Sequence, residues 1–355
     1  MVEKKIAHSM ASIYFSTMFL MSFALGIFGT CAAQINNASS LDTVLSDRDY
    51  SFVVGGHYYG NSSNQTGLPA NTVLANIEML NSPENAFHVI LGDVFLDVKN
   101  DFPLYSEKFF PYLNRPVLIA VGNHDISGSY FEENVGPTYF KFNYGADLHI
   151  VINTEQDDGS IVDEQLEFLS NACSSEAKNI FIYSHRPIWS EDNENMEGIF
   201  LGNTVSVLGN NFTDKVLPIL ENIDSNTNVY WLSGSLGGNA PASFFYHKLA
   251  NIHFVQTAIR GLKRDGILKV TSTNGTVSFT PMSLTGEKLS ALEGYNLEFW
   301  RNNHPEKEFN FRLTKLYVKN MVLHRYFWYG AISMLATLLI LIQLLKRRRK
   351  TKKNG

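Results

Sequence analysis

The apolar run Val117-Leu118-Ile119-Ala120-Val121 ends in Gly122-Asn123-His124-Asp125, and this junction constrains the chain more than any other segment. A short apolar run closed by a glycine reads as a buried strand. Its end places an amide oxygen, an imidazole and a carboxylate in one loop, a donor set that suits a divalent metal. Upstream, Val89-Ile90-Leu91-Gly92-Asp93 repeats the plan of apolar strand, glycine and carboxylate. One Asx residue after a strand is ordinary turn chemistry. Two such strands are harder to explain that way.

The 355 residues can hold one large domain with appendages. The formal charge of −5 hides an asymmetry: residues 346–355 carry seven Lys/Arg and no acid, leaving −12 on the rest. An acidic body argues against nucleic acid as a partner. Only two cysteines, Cys31 and Cys173, are present, so a disulfide framework is not expected.

Both ends look membrane-directed. Residues 326–345 carry no formal charge and match the length of a membrane-spanning helix. Tyr326, Trp328 and Tyr329 flank one side, and the basic tail 346–355 flanks the other and is expected to stay cytoplasmic. Residues 1–33 pair Lys4-Lys5 with an apolar run and Ala32-Ala33, which reads as a signal peptide or an N-terminal membrane anchor. Either option places the main domain outside the cytoplasm, on a single C-terminal span.

Between these ends, apolar strands are expected at 51–54, 88–91, 117–121, 148–153, 179–184 and 229–233. Helical spacing over 71–80 and 163–169 interleaves with them, which predicts an α/β layered fold. Strands at 252–257, 266–271 and 276–281 lack helices between them and read as antiparallel, with Thr273-Asn274-Gly275 as a hairpin turn. Residues 283–325 read as a helical or irregular stalk. His149 and His253 fall inside strand patterns and are expected to be structural.

With these segments in order, the chain resembles the calcineurin-like metallophosphoesterase family over about residues 50–282. The second family block corresponds to Gly92-Asp93, the third to Gly122-Asn123-His124-Asp125, and the fourth to His185 in Ser184-His185-Arg186-Pro187. Segments 140–145 and 163–169 also resemble family text. The resemblance implies a four-layer α/β/β/α sandwich of two mixed sheets, here with a C-terminal transmembrane helix. The metallophosphoesterase domain is placed at 34–282, the stalk at 283–325 and the span at 326–345.

The resemblance also implies a dinuclear centre and residue roles. Asp93 would bridge the ions, Asn123 and His185 would bind the second, and His57 the first. His124 would be the catalytic imidazole, with Asp125 orienting it. Two blocks depart from the pattern. Gly55 stands in place of an aspartate two residues before His57, and Ser235 and Gly237 stand in place of two histidines. The first ion then keeps two of four ligands and the second keeps three. One divalent ion (Mn, Fe or Zn) is therefore expected, with a second doubtful. The implied activity is phosphoester hydrolysis by metal-activated water in a membrane-anchored protein. The alternative is a catalytically impaired relative acting as a binding or scaffold module at the membrane.

Overall fold

Phe52 and Val54 in strand β1 (Tyr50–Gly55) face one core, while Val53 faces another. This alternation follows from the two-residue period of a strand, and it sets the layering of the whole domain in the computed structural model. The structure describes residues 49–304 apart from 192, 207 and 208, together with 314, 318, 321, 322 and 325–351.

Ten further strands follow: β2 (Asn85–Leu91), β3 (Val117–Ala120), β4 (Phe140–Tyr144), β5 (Asp147–Val151), β6 (Asn179–Ser184), β7 (Asn228–Ser233), β8 (Phe244–Leu249), β9 (Ile252–Thr257), β10 (Gly266–Thr273) and β11 (Thr276–Ser283). They form a five-stranded sheet in the order β11-β10-β1-β2-β3 and a six-stranded sheet in the order β4-β5-β6-β7-β9-β8. In the first sheet β1, β2 and β3 are parallel, with β10 antiparallel to β1. In the second, β5, β6, β7 and β9 are parallel, flanked by antiparallel β4 and β8.

The inner faces of the two sheets meet through Phe52, Phe87, Leu91, Phe181, Tyr183 and Leu232. On the outer face of the first sheet, Val53, Ile90 and Ile119 pack with Tyr105 of helix Val98–Lys108. Outside the second sheet, Ile180, Ile182 and Trp231 pack with Leu169 of helix Asp163–Cys173 and with Trp300. The result is the expected α/β/β/α sandwich of two mixed sheets.

Several expectations need correction. Residues 252–257 do form a strand, but β9 runs parallel to β7, because the antiparallel partner is the unanticipated β8. The helix expected over 71–80 is two single turns, Asn71–Leu74 and Ile77–Leu80. The hairpin holds: Asn274 and Gly275 both take positive φ, 51° and 76°, between paired Thr273 and Thr276. A two-residue turn with that handedness matches the twist of the flanking strands.

The stalk expected over 283–325 does not start at 283, and most of 305–324 lies outside the described residues. Leu292, Tyr295 and Trp300 are buried, and the Trp300 Nε1–H donates to the Phe244 carbonyl at 2.9 Å. Asn296 caps the helix Leu297–Asn303 by accepting from the Phe299 amide. Burying the Trp300 ring contributes on the order of 2–3 kcal/mol, enough to make residues up to 304 part of the domain rather than a tether.

Residues 306–355 form a separate unit. It contains the helix Arg325–Thr351, within which Arg325–Ile342 is long and apolar enough, by length and composition, to cross a membrane. The basic tail expected from 346 therefore starts as a continuation of this helix. The N-terminal segment 1–33 lies outside the described residues.

A polar network crosses the sheet interface. The Asp147 carboxylate accepts from the Tyr50 hydroxyl at 2.9 Å, the Ser272 hydroxyl at 2.6 Å and the Asn179 amide at 2.8 Å. Because the Tyr50 proton is committed to Asp147, its oxygen accepts from His149 Nε2 at 3.0 Å. His149 Nδ1 is then the acceptor for the Tyr183 hydroxyl, 2.8 Å away. His149 is structural, stacked on Phe142 and Phe181.

Candidate metal centre

Ligand sites in open α/β sheets gather at the carboxyl ends of parallel strands, and here β1, β2, β3 and β6 deliver their following residues to one place. Gly92 takes φ 75°, and a Cβ on it would lie 2.6 Å from His185 Nδ1. A Cβ on Gly122 would lie 2.3 Å from the Asp93 backbone nitrogen. Both motif glycines are thus required by close approach, not by flexibility. Asp93 and His57 take left-handed backbone conformations, φ 51° and 56°. Such strain in non-glycine residues concentrates at functional sites.

Asp93 is the hub. Its Oδ2 lies 3.3 Å from His57 Nε2 and its Oδ1 3.5 Å from His185 Nε2. The three residues are buried, and their ligand atoms all fall within 4.8 Å of one another. The Asp93 Oδ1 also accepts from the His124 amide at 3.1 Å. Burial opposes the charge on Asp93, yet its pKa lies below the usual carboxylate range, with the His124 amide donating to the carboxylate.

His185 has its tautomer fixed. Its Nδ1 donates to the Leu91 carbonyl at 2.9 Å, so Nε2 carries the lone pair, and that atom is buried without a partner. The carbonyl of His185 accepts from the amides of Gly234 and Ser235 at 2.9 and 2.6 Å, which ties the end of β6 to the loop after β7. A buried, unpartnered imidazole nitrogen aimed at a carboxylate is costly in an ordinary core. It fits a metal ligand.

The third block divides its labour differently from the expectation. His124 Nδ1 donates to the Leu96 carbonyl at 2.8 Å, leaving Nε2 for chemistry. Asp125 does not orient that ring. Its fully buried carboxylate accepts from the amides of Val94, Phe95 and Gly122 at 3.0, 3.1 and 2.8 Å, so it clamps the loop carrying Asp93. Burial and the charge of Asp93 push the Asp125 pKa well up, against those amide donors. Asn123 is exposed beside His124, on the same loop.

Arg186 forms a buried ion pair: its guanidinium meets Glu155 at 2.7 Å, beside His185. Burial raises the Glu155 pKa against the pull of His185 and Arg186, and its second oxygen is buried without a partner.

The degenerate blocks have a structural counterpart. A Cβ at Gly55 would lie 2.9 Å from Ile267 Cγ2 and 3.0 Å from a Tyr58 ring carbon. Both neighbours are fully packed, so no side chain can start there without moving the core. In its place Arg260, three residues past β9, brings Nη1 to 3.0 Å from each ring nitrogen of His57. Burial first, and Arg260 among the charges, drive the His57 pKa well below its usual value, so the ring is neutral despite Asp93. Sequence reasoning missed Arg260, although the segment just before it was recognised as a strand.

Replacing Gly55 with aspartate should therefore fail to rebuild an ion site. We expect a loss of about 1–3 kcal/mol from overpacking and no added metal, measured by urea unfolding and elemental analysis. An unchanged unfolding midpoint together with an extra bound ion would show that Ile267 and Tyr58 can yield.

The two-sheet sandwich gathers His57, Asp93, His124 and His185 at the carboxyl ends of its parallel strands. Residues 69–209 match the family model of the calcineurin-like phosphoesterases. Among solved structures, a dimetal phosphatase from Danio rerio is similar at 10% identity, covering 66% of this chain and 96% of its own, with a TM-score of 0.47. A purple acid phosphatase from yellow lupin (Lupinus luteus) seeds is similar at 12% identity, covering 69% of this chain and 53% of its own, with a TM-score of 0.45. Vps29 from Chaetomium thermophilum is similar at 10% identity, 66% and 97% coverage and a TM-score of 0.30. No curated protein matches the chain by sequence.

Proposed function

We propose that the chain is a membrane-anchored phosphoester hydrolase that works with one resident divalent ion. The observation that carries this reading is the buried His57–Asp93–His185 group, in which His185 Nε2 holds a lone pair with no other use. Asp93 and His185 would hold the ion, with Asn123 reaching it from the exposed loop. His57 could join only by giving up its contact with Arg260. An imidazole and carboxylate donor set suits Mn, Fe or Zn. Such an ion, when bound, supplies a nucleophile at neutral pH and Lewis acidity toward phosphorus.

The protein's own residues have separable tasks. His124 is the catalytic imidazole: Nδ1–H donates to the Leu96 carbonyl, and when the ring is doubly protonated its Nε2–H delivers a proton to the leaving oxygen. Asp125 keeps the Asp93 loop in register through three amide bonds. The apolar helix Arg325–Ile342 would anchor the domain, with the basic tail cytoplasmic and the domain on the opposite side. A binding-module reading draws support from one observation, the closed space at Gly55.

The deciding experiment measures metal content and hydrolysis of a phosphomonoester and a phosphodiester on the same purified full-length sample. We expect about one Mn, Fe or Zn per chain, with turnover that chelation removes and Mn²⁺ restores. Metal without turnover on either ester would favour the binding module, and absence of both would sink the hydrolase reading.

A further inference from the structure

We infer that Arg260 replaces the missing first ion and serves as the phosphate-binding cation of this site. The inference rests on the hydrolase reading for its substrate class and on independent geometry for its residue. A neutral imidazole has one N–H and one lone pair, whereas a guanidinium has only donors. With Arg260 Nη1 at 3.0 Å from both ring nitrogens, the guanidinium packs against the His57 ring and already places a cation beside it. The family position that would neutralise an ion here is Gly55, and its Cβ direction is blocked. The first-ion site has therefore exchanged a divalent cation for a fixed monovalent one.

The arginine is placed firmly and left underused. Its amide donates to Asp265 Oδ1 at 3.0 Å, and its carbonyl accepts from Asn61 Nδ2 at 2.9 Å. The preceding Ile259 amide donates to the Gly56 carbonyl at 2.9 Å, which fastens this loop to the end of β1. Asp265 is committed to that backbone amide and to the Thr72 hydroxyl. Among the described residues no carboxylate lies within ion-pair distance of the Arg260 guanidinium, and its Nε is buried without a partner. A buried donor on a permanent cation is an unusual thing to leave unpaired. It is the expected state of a group that waits for an anion.

The surroundings select the anion. The Tyr59 hydroxyl lies against Arg260, and the Tyr59 ring packs 5.1 Å from that of His124. Arginine, tyrosine and the catalytic imidazole thus line one wall, with Asp93 and His185 behind His57. A planar fork of N–H groups matches two oxygens of a phosphoryl group. In this arrangement Arg260 binds non-bridging phosphoryl oxygens, while His57 holds the guanidinium at its inner end.

The test compares wild type, Arg260→Gln and Arg260→Lys as full-length proteins. Calorimetric titration with inorganic phosphate, with and without Mn²⁺, is paired with elemental analysis. We expect Arg260→Gln to weaken phosphate binding at least tenfold with metal content unchanged, and Arg260→Lys to recover part of the loss. Where turnover is present, KM should rise more than kcat falls. Phosphate binding unchanged in Arg260→Gln, or absent from wild type, would overturn the inference. So would a gain of a second ion with phosphate affinity retained, because the arginine would then be only an obstacle. Phosphate binding that depends on Arg260 without ester hydrolysis would instead refute the hydrolase reading and leave this one standing.

Discussion

Asp93→Asn should strip the chain of its metal and of any phosphoesterase turnover while leaving it folded. The substitution is isosteric, and the asparagine Oδ1 can still accept the His124 amide now bound to Asp93 Oδ1 at 3.1 Å. What disappears is the negative charge between His57 Nε2 and His185 Nε2, 3.3 and 3.5 Å away. Outer partners of metal ligands already matter by about 10–100-fold in affinity, so loss of the central carboxylate should cost at least about 100-fold. Elemental analysis after dialysis reads the metal, and urea unfolding confirms the fold. His124→Gln provides the contrast, since His124 Nε2 belongs to the proposed chemistry and not to the ligand group: metal retained, turnover lost. Metal content unaffected by Asp93→Asn would remove Asp93 from the centre and with it the assignment of the whole cluster.

Acid should destabilise the domain above the usual carboxylate range, and His88 should account for a measurable share. His88 is buried in β2 with both ring nitrogens unpartnered, and burial, assisted by Arg115, lowers its pKa to about 4. His149, enclosed by tyrosine hydroxyls, is lowered by burial to about 3. Unfolded histidine titrates near 6.5. Between that value and 4 the unfolded chain binds a proton that folded His88 refuses, so stability falls as pH drops through this window. The loss from His88 is about 2–3 kcal/mol by pH 4.5. His88→Leu removes the titration and two orphan nitrogens together. Urea midpoints of metal-free wild type and variant should diverge progressively from pH 7 to 4.5, the variant being the more stable. Parallel curves would mean that His88 is protonated in the folded state.

The layering and most strands were legible because apolar runs in parallel strands are long and bounded by glycine or Asx residues. β6 and β9 match their expected ranges. β8 escaped because its last residues, Lys248 and Leu249, are exposed and its pattern fades along the strand. The parallel run of β9 was hidden too, since direction depends on a pairing between distant segments. At the site, Asp93, His185 and His57 were legible as ligand-type residues at strand ends. The clamp role of Asp125 was not, because backbone amides as partners leave no mark in a sequence. Arg260 was equally silent: a lone arginine after a strand acquires meaning only from the two-sheet approach that brings it to His57.

The position of β1 carries a consequence for synthesis. This strand supplies His57 and lies between β2 and β10, pairing Tyr50 with Ser272 across more than 200 residues. As the chain emerges, β2 and β3 can join β1 early, but its other edge stays open until most of the domain has been made. Late long-range closure slows folding and leaves an unpaired edge exposed to wrong partners. Arg260 arrives in that same last stretch, so the cation beside His57 and the strand that closes the sheet reach the nascent domain together.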